Sequence, residues 1–169
     1  DRTRFYDESA YERAVATIDA AMRVVSAAHH PLSVDFVAYR TPFSLLTAEE
    51  IENDARPERN PYHAYFASLV ERLRRGRVQL VGISVAFPGQ IQPAYSLAYA
   101  LRALGVHVTV GGPALTQMLL RLEGDALTRA LGPFDSAVVY EGELALLDMV
   151  RAIERGDDPC KNGRIIRGQ

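Results

Sequence analysis

Val78-Gln79-Leu80-Val81-Gly82-Ile83-Ser84 is a short, mostly apolar run of the kind that forms a strand buried on both faces. Downstream of it, Pro93–Leu104 carries Leu97, Ala100, Leu101 and Leu104 at helical spacing and meets a stop at Gly105. Val106-His107-Val108-Thr109-Val110 reads as a second strand, closed by Gly111-Gly112-Pro113. Helical pieces continue to Leu131, a third strand is expected at Asp135–Val139, and a last helix over Glu143–Arg155 ends at Gly156. Strands and helices alternating at this spacing predict right-handed βαβ units and an α/β fold with a doubly wound parallel sheet.

Upstream the pattern is helical. Tyr11, Ala14, Val15, Ile18, Met22 and Val25 recur with the helical period between Ser9 and about Ala28. Ser9 and Glu12 have capping-box spacing, and His29-His30-Pro31 ends the helix because a residue before proline avoids the α region. Ser33–Tyr39 shows some alternation that Pro42 weakens as a strand signal. Thr47 with Glu50 opens a short helix that fades before Pro57. Asn60-Pro61 opens another, with Tyr62, Tyr65, Phe66, Leu69, Val70 and Leu73 as its stripe. The expected organisation is an N-terminal helical layer over 1–76, an α/β core over 77–156, and a linker over 157–169. That linker is expected to hold a short strand at Arg164–Arg167 and to lead toward a downstream domain.

With 169 residues, 48% of them hydrophobic, the chain buries one good core rather than two. Nineteen Lys and Arg against 21 Asp and Glu leave −2, which supplies no electrostatic footprint for nucleic acid or an anionic membrane. No apolar run approaches the roughly 18 to 20 residues of a spanning helix. A single cysteine, Cys160, excludes an internal disulfide framework and any multi-cysteine zinc or iron–sulfur site, and suits a reducing, cytoplasmic setting. Asp1-Arg2-Thr3-Arg4 has neither a Met nor an apolar leader, as expected of a chain cut from something longer.

In an open α/β sheet, ligands bind beyond the carboxyl ends of the strands. Three such ends are expected: Ser84-Val85-Ala86-Phe87-Pro88-Gly89-Gln90, Gly111-Gly112-Pro113, and Tyr140-Glu141-Gly142-Glu143. Gly111 and Gly112 let backbone approach a flat or bulky ligand, or simply make a tight turn. Ser84 is a rim donor or a strand cap, and Phe87-Pro88-Gly89 a stiff wall or a plain loop. Glu141 and Glu143 stand at a helix N-terminus, where the dipole favours acids for structural reasons alone.

Taken together, Val81–Pro88, Val110–Pro113 and Phe134–Glu143 resemble the cobalamin-binding domain of cobalamin-dependent radical S-adenosylmethionine enzymes, over roughly residues 78–156. Phe5-Tyr6-Asp7-Glu8 and Asn60-Pro61-Tyr62 look like the longer pre-domain of some peptide-modifying members. The resemblance implies a Rossmann- or flavodoxin-like cobalamin-binding fold. It implies that Ser84, Gly111 and Gly112 face the nucleotide tail of the cofactor, with Glu141, Gly142 and Glu143 also near it. Phe87, Pro88 and Gln90 match the loop under the lower face of the corrin, and Val85 and Pro113 complete the implied binding set. No catalytic residue and no metal ligand is implied within this chain. S-adenosylmethionine and a four-iron cluster belong to an absent downstream domain, since the cluster needs three cysteines. This chain would then present methylcobalamin as methyl donor for a methyltransferase-like reaction.

The departures are specific. The Asp-x-His-x-x-Gly motif of methionine-synthase-like cobalamin domains has no counterpart, and none of the four histidines fits its ligand position, so cobalamin would be bound base-off without a protein imidazole. Ala86 stands where an older Ser-x-Leu pattern has Leu, and the resemblance implies that the family's usual first strand with its Pro-rich loop would precede the point where this chain begins. Other classes fit less well. A phosphorelay receiver needs an aspartate where Ser84 and Val85 stand, and a flavin or nucleotide site needs a longer glycine loop than Gly111-Gly112-Pro113. A degenerate cobalamin fold serving as a docking surface is the third alternative. Gly112→Leu is expected to abolish corrinoid binding with the fold intact, by filling the tail cavity.

Overall fold

A computed structural model describes residues 5–40, 49, 53, 56 and 59–168, and the chain divides into two units, Asp1–Pro42 and Phe43–Gln169. In the first unit, helix α1 (Glu8–Ala28) is capped by Asp7, not Ser9: the Asp7 carboxylate accepts from the Ala10 N–H at 3.2 Å. An aspartate one residue ahead of the helix caps as well as a serine inside it would, and the chain uses the earlier position. Strands β1 (Ser33–Val34) and β2 (Tyr39–Arg40) form a small antiparallel hairpin. The Asp35 carboxylate closes that hairpin by accepting from Val37 and Ala38 N–H, which holds its pKa below the ordinary carboxylate value. Ser26 accepts from the Val34 N–H at 2.9 Å and so ties hairpin to helix. The helix expected from Thr47 to before Pro57 lies largely outside the described residues.

The second unit begins, among described helices of full length, with α2 (His63–Arg75). Then come β3 (Leu80–Ser84), α3 (Ile91–Leu101), β4 (His107–Gly111), α4 (Pro113–Leu119), α5 (Gly124–Leu131), β5 (Ser136–Val138), α6 (Glu143–Arg155) and β6 (Ile165–Arg167). The strands lie in the order β3-β4-β5-β6. Leu80 pairs with His107 and Thr109 with Ser136 in parallel register, whereas Ser136 pairs with Arg167 antiparallel. The sheet is therefore mixed rather than wholly parallel: the short strand expected near Arg164–Arg167 lies along β5 as an antiparallel edge. Helices α3 and α6 run into left-handed glycines, Gly105 after a 3-10 turn and Gly156 directly, as their sequences predict.

Side chains on successive strand residues point to opposite faces, and the two faces differ. Val81, Ile83, Val108, Val110, Ala137 and Ile166 join a large core with Tyr95, Leu101, Leu115, Leu119, Leu131 and Phe134. Each large side chain fully buried there contributes roughly 1.5–3 kcal/mol. Tyr95 packs edge-on against Phe134 at 4.8 Å and donates its hydroxyl to the Ala130 carbonyl; burial pushes its phenol pKa above the ordinary value. On the other face α6 supplies Ala145 and Met149 over Val138 and Ile165, and among the described apolar residues of β3 that cluster takes in Leu80. Gly82 and Ser84 are exposed. The expectation that β3 is buried on both faces is thus corrected: helices cover one of its faces, and α6 sits over the β5–β6 end of the other.

Candidate functional site

The three parallel strands end side by side at Ser84, Gly111 and Val138. Just past them two loops are laced together through backbone: Val85 N–H donates to the Gly111 carbonyl at 2.8 Å, and Ala114 N–H donates to the Val85 carbonyl at 3.2 Å. Gly112 makes the lacing possible. Its φ is 105°, and a Cβ there would stand 2.5 Å from the Val85 carbonyl oxygen and 2.7 Å from its nitrogen. Gly112→Leu is therefore no clean probe of a cavity. The expectation that the fold survives it is overturned by the Val85 backbone, which occupies the space a side chain would need.

Beside this junction, on the face that α6 leaves bare, lies an open cleft of about 380 Å³. Gly82, Ser84, Thr109 and Gly111 make its floor, and Val138, Gly142, Glu143 and Leu146 its α6 side; Gly112 and Tyr140 also line it. Apolar surface dominates, and among the lining residues Glu143 carries the charge. The floor is low because its residues are small. At Gly82 an added Cβ would meet only the Thr109 methyl, at 3.9 Å, so that position accepts a side chain without strain.

Of the residues singled out from the sequence, Ser84, Gly111, Gly112, Gly142 and Glu143 come together in the cleft. The others stand elsewhere. Val85 is fully buried in the large core. Phe87 is exposed, and Pro88–Gln90 form a 3-10 turn whose Gln90 side-chain oxygen accepts from the Ala86 and Phe87 N–H groups at 2.8 and 3.1 Å. Gln90 thus closes its own loop. Pro113 is the exposed first residue of α4, and Glu141 is exposed with its carboxylate 3.7 Å from the Arg164 guanidinium. Gly82, Thr109, Val138 and Leu146 were missed, and Tyr140 was placed at a strand end without being assigned to the binding set. Two of them had a signal: Gly82 and Thr109 lie two residues before Ser84 and Gly111 and so share their face.

Within the second unit, His63, His107 and Cys160 do not line this cleft. His107 opens β4, at the opposite end of that strand from Gly111. Its Nε2 lies 2.9 Å from the Ser136 hydroxyl, which donates to Thr109 at 3.0 Å, and burial holds the imidazole pKa below its ordinary value. His63 lines a separate cavity of about 350 Å³ with Asn60, Phe66, Val70, Ser96 and Tyr99. Cys160 is partly buried beside Val138 and Ile165, and burial pushes its thiol pKa up. Among the described residues no three His, Cys, Asp or Glu side chains gather as a metal site, and no helix is long and apolar enough to cross a membrane. No protein-family model, curated protein or solved structure matches the chain.

Proposed function

We propose that this chain is a cobalamin-binding module of a radical S-adenosylmethionine enzyme, holding base-off cobalamin with its nucleotide tail in the cleft beside β3 and β4. The observation that supports it is the cleft floor: Gly82, Ser84 and Gly111 keep three adjacent positions of two parallel strands free of bulk, beside the carboxyl ends where α/β sheets take ligands. A volume of about 380 Å³ suits a nucleotide-sized tail, and the corrin would lie outside it against the loops. The residues present fit that group. Ser84 offers a hydroxyl at the floor, Val138 and Leu146 an apolar wall, and Gly111 a backbone surface for a flat ring to approach.

When bound, methylcobalamin supplies a transferable methyl group. The chain's own part is to bind, orient and shelter the cofactor, while S-adenosylmethionine, a four-iron cluster and the methyl acceptor belong to a downstream domain. In this proposal the β3–β6 sheet is part of a doubly wound sheet, and the module works in the cytoplasm without nucleic-acid or membrane partners.

The test is retention of corrinoid. The purified chain is mixed with hydroxocobalamin and desalted, and the visible spectrum of the protein fraction is recorded. The expected result is a retained band of base-off shape, with affinity falling about tenfold or more in Gly82→Leu, a cost of about 1.4 kcal/mol or more. A colourless wild-type fraction overturns the proposal.

A further inference from the structure

Two described residues other than glycine hold a left-handed φ, Arg77 at 51° and Tyr140 at 63°. Arg77 sits in the turn between α2 and β3; Tyr140 lines the cleft. A side chain in this backbone region costs free energy and persists only where the surroundings over-determine it. Around Tyr140 one residue does so from both sides. Val139 N–H donates to the Arg164 carbonyl at 3.0 Å, and the Arg164 guanidinium donates to the Glu141 carbonyl at 3.4 Å. Residues 139 and 141 are pinned, and Tyr140 takes the twist between them.

Nothing in the interior claims this ring. Tyr140 is 64% exposed, and among the described residues no aromatic ring packs against it, while Val138 and Val139 just before it are buried. Glycine would satisfy the backbone here at no steric cost, so the tyrosine is not explained by the turn. The cleft it borders has a floor of small residues and one aliphatic side, a surface that receives one face of a flat group and leaves the other uncovered. Resting on the cleft as the ligand site, we propose that Tyr140 is a binding residue whose ring closes over the exposed face of a planar heteroaromatic group lying on Gly82, Ser84 and Gly111. Such stacking depends on the ring and not on the hydroxyl.

The experiment compares wild type, Tyr140→Phe, Tyr140→Gly and Gly82→Leu in the full chain, with hydroxocobalamin affinity from equilibrium dialysis and thermal midpoint as readouts. Tyr140→Phe should bind within about twofold of wild type, and Tyr140→Gly about tenfold more weakly. The thermal midpoint of Tyr140→Gly should be no lower, because glycine accepts the backbone; Tyr140→Ala repeats the affinity test if it is lower. Wild-type affinity in Tyr140→Gly and Tyr140→Ala, or an equal loss in Tyr140→Phe, overturns the proposal. If wild type retains no corrinoid, the cobalamin reading fails by itself, and the role of the ring is decided with the aromatic dye 8-anilinonaphthalene-1-sulfonate. Dye fluorescence abolished by Gly82→Leu and reduced several-fold by Tyr140→Gly, but not by Tyr140→Phe, supports it. Dye binding indifferent to Gly82→Leu or to Tyr140→Gly sinks it.

Discussion

The two faces of the β3–β6 sheet come from the same strands and are built on opposite terms. On one, Val81, Ile83, Val108, Val110 and Ala137 meet helices and disappear into the large core. On the other, Gly82, Ser84, Thr109 and Gly111 leave a trough beside α6. A strand that alternates branched aliphatics with glycine and serine fills space on one side and keeps it empty on the other. Under the proposed reading, the emptiness next to the carboxyl strand ends is the space a ligand takes.

Four substitutions and a pH series break or sharpen this contrast. The largest effect belongs to the junction that both faces depend on. Gly112→Leu should cost about 4 kcal/mol or more, or prevent folding, because its Cβ falls on the Val85 backbone. A urea denaturation midpoint near wild type would break the laced-loop description. On the covered face, Leu115→Ala should cost about 2–5 kcal/mol, since Leu115 has no exposure and its removal leaves a cavity. On the bare face, Gly82→Leu should leave stability unchanged or raise it by up to about 1 kcal/mol, as it relieves the entropic penalty of a glycine in a strand. A loss comparable to that of Leu115→Ala would mean the trough is packed after all. Leu144→Ser, on an exposed position of α6, should stay within about 0.5 kcal/mol.

The pH effect is the smallest and concerns polar residues on the bare side. Burial lowers the His107 pKa, with Asp135 and Asp158 opposing and Arg167 assisting. The unfolded chain therefore binds the proton more readily than the folded one. Stability from this group is complete above the ordinary value of 6.5 and is lost as pH falls toward the lower folded value. Denaturation midpoints measured from pH 7.5 to 5.5 should fall, and His107→Gln should flatten the slope. Asp35, Glu71 and Asp158, whose pKa values are lowered by hydrogen bonds, lose their contributions only at more acid pH, so the two windows separate.

Much of the fold was legible because its signals are local. The last helix matches its expected bounds, Glu143–Arg155, since an acidic first turn and a terminal glycine mark its ends within the segment itself. Strands β3 to β6 fall within two residues of expectation, since short apolar runs mark them locally. What failed was long-range. An apolar run such as Leu80–Ser84 does not say which of its faces a helix will cover, so Gly82 passed as core. Ile165–Arg167 carries no mark of its partner, and its antiparallel pairing with β5 appears only in three dimensions. At the site, the paired glycines were visible, but not that Gly112 abuts Val85. Nor was it visible that the Gln90 side chain closes its own turn, because a side-chain amide four residues from an amide N–H bonds locally. Nothing in Val139-Tyr140-Glu141 announces a left-handed tyrosine.

The hold of Arg164 on both neighbours of Tyr140 links the rim of the trough to the edge of the sheet. The Val139 amide is bonded to the residue immediately before β6, so it cannot meet solvent without the last strand lifting. In hydrogen-exchange terms, the rim and β6 form a single opening unit. The lifetime of the tyrosine's pose is then set by how often three residues at the sheet edge peel away, a clock located outside the cleft itself.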